Sequence, residues 1–162
     1  MLSSLRQLEG LPVVWQDRLV GFVERGVPDK NARILEGLIL RKGIGSAKWA
    51  DAVSISVVGK KCILLREKPK HLSGRAAPEL RLAYMTTGQR IGPVTDGILS
   101  RTSLRLLALE ISPGPIHHLQ GKSAYAREYC VIGEGLRKGQ AMISSLLSWT
   151  ELETALGKEE TK

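Results

Sequence analysis

Aromatic side chains are scarce in this chain, with one Phe, three Tyr and three Trp among 162 residues. A core built on stacked rings is therefore not available, and Leu, Ile and Val must fill the interior. Cysteine is scarcer still. Cys62 and Cys130 belong to no Cys-x-x-Cys unit and do not make a disulfide framework. Two free thiols in strands are the expectation, which suits a reducing compartment. No apolar run approaches the roughly 20 residues that span a bilayer. The N-terminal stretch MLSSLRQLEG lacks the apolar centre of a signal peptide. A cytoplasmic protein without a transmembrane segment is expected.

Motifs that carry chemistry are also missing. There is no Gly-x-Ser-x-Gly elbow, although a Ser-His-Asp triad can assemble from distant residues and one sequence does not decide the matter. His117 and His118 would point to opposite faces of a strand and could not share a metal there. In a loop they could, but no Cys, Asp or Glu stands nearby at ligand spacing. The stretch from Gly133 to Gly139 is glycine-rich and basic, yet lacks the Gly-x-Gly-x-x-Gly spacing and a following helix, and reads as a hairpin loop. No catalytic residue, metal ligand or cofactor is assigned, and the chain is read as a non-enzyme.

What is present is a repeat. Arg18–Val27 reads RLVGFVERGV, and Gln89–Ile98 reads QRIGPVTDGI. At a constant offset of 71, Val20 meets Ile91, Gly21 meets Gly92, Val23 meets Val94 and Gly26 meets Gly97. Leu35 then meets Leu106, Leu38 meets Leu109 and Leu40 meets Ile111. A unit of about 70 residues has been written twice. Each copy is near the lower limit for a stable core. The halves are expected to pack on each other, or the chain to form a homodimer.

Taken in order, Leu2, Leu5 and Leu8 suggest a helical turn. Leu11–Trp15 reads as an edge strand, because Pro12 cannot donate to a ladder. Leu19–Val27 is a second strand whose glycines suggest a bulge. Pro28–Asn31 is a turn. Ile34–Leu40 is almost wholly apolar and reads as a central strand. Lys48–Val53 is expected to make one turn. Ser54–Val58 and Lys61–Leu65 flank Gly59-Lys60 as a hairpin. The second copy repeats this with strands at Arg81–Thr86, Arg90–Leu99 and Leu104–Ile111 and a last hairpin at Tyr129–Ile132 and Gln140–Ile143. Ser148 and Glu151 have capping-box spacing, which predicts a short amphipathic helix over Ser148–Leu156 closed by Gly157. The organisation expected is a first barrel at 1–67, a linker at 68–79, a second barrel at 80–145, and a helix and tail at 146–162. The fold class is all-β, two tandem small antiparallel barrels with a short C-terminal helix.

The repeated pattern resembles the PRC-barrel domain. The residues that carry the likeness are Leu11-Pro12-Val13-Val14, Gly21-Phe22-Val23 and Leu38-Ile39-Leu40 in the first copy, and Gly88–Asp96 with Leu107–Ile111 in the second. That family includes the cytoplasmic part of the photosynthetic reaction-centre H subunit and the C-terminal half of the bacterial ribosome maturation factor. The resemblance implies a compact, mostly antiparallel barrel that serves as a docking surface, with no shared catalytic residues. Its acidic position after Gly-x-Val is kept as Asp96 but is Arg25 in the first copy.

The net charge of +8 leaves a second expectation. Arg41-Lys42, Lys60-Lys61 and Arg137-Lys138 fall in turns or at strand ends and form a candidate basic surface. The densest run, Arg66–Arg81, reads as a solvated linker. Trp15, Trp49 and Tyr84 are the aromatics that could stack on bases, though each could equally be core. Docking of a protein partner, in ribosome or membrane-complex assembly, is the first expectation. RNA binding through the basic surface is the alternative.

Overall fold

The short connection Gln16-Asp17 sets the first hairpin. Both residues take positive φ, 48° and 62°, the twist that a two-residue hairpin needs. It joins β2 (Pro12–Trp15) to β3 (Arg18–Pro28). In this computed structural model, residues 2–72, 82–112, 123–135 and 137–160 are described, without the side chains of 158–160. Strand accounts for 52% and helix for 12%, so the all-β expectation holds.

The chain divides into two compact units. The first takes Met1–Pro78 with Ile98–Leu107, and the second takes Glu79–Gly97 with Ala108–Lys162. In the first unit, β1 (Leu2–Ser4) leads into a single helical turn, α1 (Leu5–Leu8), held by a capping box between Ser4 and Gln7. After β2 and β3 come β4 (Leu35–Arg41), β5 (Lys48–Asp51), a 3-10 turn at Ala52–Ser54, β6 (Ile55–Val58), β7 (Ile63–Leu65) and β8 (Lys70–His71). The sheet runs β6-β7-β2-β3-β4-β5-β8.

The remaining strands are β9 (Leu82–Met85), β10 (Arg90–Ser100), β11 (Leu106–Ile111), β12 (Ala124–Ala126), β13 (Tyr129–Val131) and β14 (Ala141–Ile143), followed by α2 (Trp149–Glu160). Their order is β13-β14-β9-β10-β11-β12, with β1 paired to the end of β10 at Ile98–Ser100. From β6 to β5 this is the first sheet's order, β8 having no counterpart among the described residues, so the repeat read from the sequence is a repeat of topology. Each sheet curls into a half-barrel.

Three local readings change. First, the sheets are mixed: β2 pairs with β7, and β9 with β14, in parallel. The last hairpin of each copy returns beside the first strand, and the chain's direction there makes that ladder parallel. Secondly, β2 lies between β3 and β7 and is no edge. Pro12 is tolerated because it is the first residue of its strand. Thirdly, Lys48–Asp51 is a strand and the turn follows it. In addition, Lys70 and His71, within the stretch read as linker, pair with Trp49 and Lys48.

The glycine bulge is found in both copies. Opposite β2 the register slips between Val13 and Val14, beside Gly21. Opposite β9 it slips between Arg90 and Gly92. Gly21 has φ 154° and lies close under β4, where an added Cβ would sit 3.3 Å from the Arg41 carbonyl oxygen. The extra residue bends the strand, so the first part of β3 pairs with β2 and the rest with β4.

The core of the first unit is aliphatic. Leu8, Val13, Leu35, Leu38, Leu40 and Ile63 are fully buried. In the second unit the equivalent positions hold Ala83, Leu109, Ile111, Ala141 and Ile143, joined by Leu152 and Leu156 of α2. The helix cap is as expected: Ser148 N–H donates to Glu151 at 3.0 Å, and Glu151 N–H to Ser148 Oγ at 3.2 Å. Gly157 does not close the helix, which runs to Glu160.

Candidate functional site

Alternate side chains of a strand face opposite sides of its sheet. With Val13, Ile63, Leu65 and Val58 buried inside, their neighbours look outward. Pairing then lines those neighbours up. Val57 of β6 pairs with Leu64 of β7, Leu64 with Val14 of β2, and Val14 with Leu19 of β3. The result is an aliphatic row across four strands on the outer face of the first unit. Val57 is 50% exposed, Leu19 40% and Leu64 39%, and Val14 is half-buried. One step along the strands, Pro12 pairs with Phe22, which is 43% exposed. Single exposed apolar residues are ordinary, and their alignment in one row makes this face a candidate contact surface.

The second unit holds the same row with different chemistry. Cys130 of β13 pairs with Met142 of β14, Met142 with Tyr84 of β9, and Tyr84 with Arg90 of β10. Here the guanidinium of Arg137 lies 5.8 Å from the centre of the Tyr84 ring, a cation–π contact that covers it. Arg137 is supplied by the connection between β13 and β14. Ile132 and Gln140 close that loop through Ile132 N–H to the Gln140 carbonyl at 2.9 Å. The corresponding turn in the first unit, between Val58 and Ile63, is much shorter: Gly59 N–H bonds directly to the Cys62 carbonyl at 2.9 Å.

The predicted basic residues fall into three pairs, all exposed. Arg41 and Lys42 end β4, and Lys60 and Lys61 form the β6–β7 turn. Arg41 pairs with Phe22, Phe22 with Pro12, and Val13 with Ile63. These two pairs therefore flank the same level of the sheet, about 14 Å apart at the usual interstrand spacing. Arg41 is already engaged: its Nε and Nη2 donate to the two Glu24 carboxylate oxygens at 3.1 and 3.3 Å. Lys42 Nζ donates to the Leu19 carbonyl at 3.2 Å. Arg137 and Lys138 belong to the second unit. Of the stacking candidates, Trp49 is buried, Trp15 is half-buried and Tyr84 lies under Arg137. His117 and His118 lie outside the described residues. Among the described residues, no three of His, Cys, Asp and Glu group as metal ligands.

A second difference lies at the other end of each sheet. In the first unit Trp49 packs with Val27 and Ile39 in an apolar cluster edged by Ala47 and Leu72, and its Nε1–H donates to Asp51 at 2.6 Å. The matching position in the second unit is Tyr125, which pairs with Glu110 as Trp49 pairs with Ile39. Ser123 Oγ donates to Glu110 at 2.8 Å, and Trp149 of α2 tilts against the Tyr125 ring at 5.3 Å. Burial, then the nearby Glu110 and Asp96 carboxylates, push the Tyr125 hydroxyl above the usual tyrosine value, because each disfavours a phenolate. This cluster is polar but covered by its own helix.

The aliphatic row was not visible as a site in the sequence. Its signal was the outward parity of Val14, Leu19, Val57 and Leu64, which becomes a row only once the parallel β2–β7 ladder is known. No protein-family model matches the chain, and no curated protein matches it significantly.

Proposed function

We propose that this chain is a non-enzymatic docking protein of PRC-barrel type that binds a protein partner through the outer face of the first unit. The observation that supports this reading is the aliphatic row Val57–Leu64–Val14–Leu19, three of its four residues exposed, where the other copy holds Cys130–Met142–Tyr84–Arg90 with Arg137 against Tyr84. Assembly of the ribosome or of a membrane complex is the setting that the family likeness implies. A photo-crosslinking residue placed at Leu64 in cells is expected to give a discrete protein adduct, and the same residue at Met142 none. Adducts from position 142 alone, or from neither, would overturn the reading.

A second reading is favoured by the two basic pairs that flank this face, Arg41-Lys42 and Lys60-Lys61. It is an RNA-binding module acting through that surface, and it predicts a complex that weakens steeply with salt as counterions are released. Absence of any shift of structured RNA at low salt would remove it.

A further inference from the structure

Resting on the docking reading, we infer that the segment received by the first unit's outer row is an amphipathic stretch of another protein whose apolar stripe is flanked by Asp and Glu. The charge around the row is one-sided. Lys42 reaches the Leu19 carbonyl. Lys60 and Lys61 sit on the turn between the strands that carry Val57 and Leu64, and Arg66 follows the end of β7. All four are exposed, against the exposed acids Asp17 and Glu67. Arg41 and Glu24 cancel each other. The aliphatic centre supplies contact area, and the cationic border selects what approaches it and fixes its orientation.

Three other occupants fit less well. A second copy related by a two-fold axis would bring this cationic border against itself. An anionic bilayer needs side chains that reach about 5–10 Å into the headgroup boundary, and Val14, Val57 and Leu64 are short side chains on a strand flank. Single-stranded RNA is held on aromatic platforms beside cations, and Phe22 is the single aromatic among the exposed large apolar residues of this face.

The test uses the full chain and two synthetic amphipathic peptides with the same Leu stripe, one flanked by Glu and one by Lys. Binding is measured by fluorescence anisotropy for the wild type, Leu64→Ser, the double variant Lys60→Glu/Lys61→Glu, and Ile44→Ser as an exposed control outside the face. The Glu peptide is expected to bind at least about tenfold more tightly than the Lys peptide, a difference of about 1.4 kcal/mol. Leu64→Ser should weaken it by a similar factor, the double charge reversal should narrow or invert the preference, and Ile44→Ser should change nothing. Equal binding of both peptides, lost in Leu64→Ser, would overturn the acidic partner and leave the docking face standing. Glu-peptide binding that ignores Leu64→Ser would overturn the face itself. Failure of both peptides would overturn the acidic partner. So would self-association in sedimentation, or binding to equimolar phosphatidylcholine–phosphatidylserine vesicles, if either is abolished by Leu64→Ser; each names a different occupant.

Discussion

The two units share a strand order and part company at their surfaces. Leu38 and Leu109, Ala50 and Ala126, and the bulges beside Gly21 and Gly92 occupy equivalent places in the two sheets. The outer rows do not correspond in chemistry: an aliphatic row in the first unit is a Cys-Met-Tyr-Arg row in the second, with Arg137 over its tyrosine. Nor do the sheet ends, where an apolar Trp49 cluster answers a Tyr125–Glu110 cluster beneath α2. Duplication kept the bulge glycines and the central leucines, changed the outward positions freely, and shrank part of the core, where Val13 and Ile63 answer to Ala83 and Ala141. A surface position changes at little cost to stability, whereas an inward one changes only with its packing.

The comparison predicts unequal costs for matched substitutions. The largest is expected at the sheet ends. Trp49→Ala removes a buried indole and should cost about 3–5 kcal/mol, read from the denaturant midpoint. Tyr125→Ala, at a half-buried site, should cost clearly less. Next is the strand position just before Leu38 and Leu109. A Cβ on Gly37 would lie 2.3 Å from Trp49 Cζ2 and 2.6 Å from the Ala50 carbonyl oxygen, so Gly37→Ala should destabilise by about 1–3 kcal/mol. Its counterpart is already Ala108, fully buried, and Ala108→Gly should cost no more than about 1 kcal/mol. If the two changes cost the same, the packing difference between the copies is not what it seems from their geometry.

Smaller effects sharpen the second unit. Ser148→Ala removes the cap of α2 and should cost about 1 kcal/mol, seen as faster amide exchange at Leu152 with little change in the first unit. Tyr125 gives a pH signature. Its folded value is raised above 10.0, so the native state keeps a proton that the unfolded chain releases. Its contribution is intact below about pH 10 and is lost as pH rises from there through the folded value. Tyr125→Phe should flatten that alkaline decline in unfolding free energy, and an unchanged slope would contradict the assignment.

Much of the scaffold could be read from residues alone. Of the strand glycines read as a bulge, Gly21 lies at one, the apolar run Ile34–Leu40 marked the central strand to within a residue at each end, and Ser148 with Glu151 marked the helix start. What stayed hidden has physical reasons. Ala124–Ala126 carries little β propensity, and Lys48–Asp51 has a composition that suits a helical turn as well as a strand. β1 forms only because β10 is there to pair with it. The aliphatic row depends on the parallel β2–β7 ladder, a pairing between residues some 50 apart, Val13 with Ile63, for which no local pattern speaks. The predicted basic residues were placed in turns and strand ends as expected, but the carboxylate that engages Arg41 lies on a neighbouring strand and could not be foreseen.

The most direct test of a contact face on the first unit is methyl NMR of the intact chain titrated with the Glu-flanked peptide. The account predicts shifts confined to the methyls of Val14, Leu19, Val57 and Leu64, with Met142 unmoved. Shifts centred on Met142, or spread evenly over both units, would contradict it.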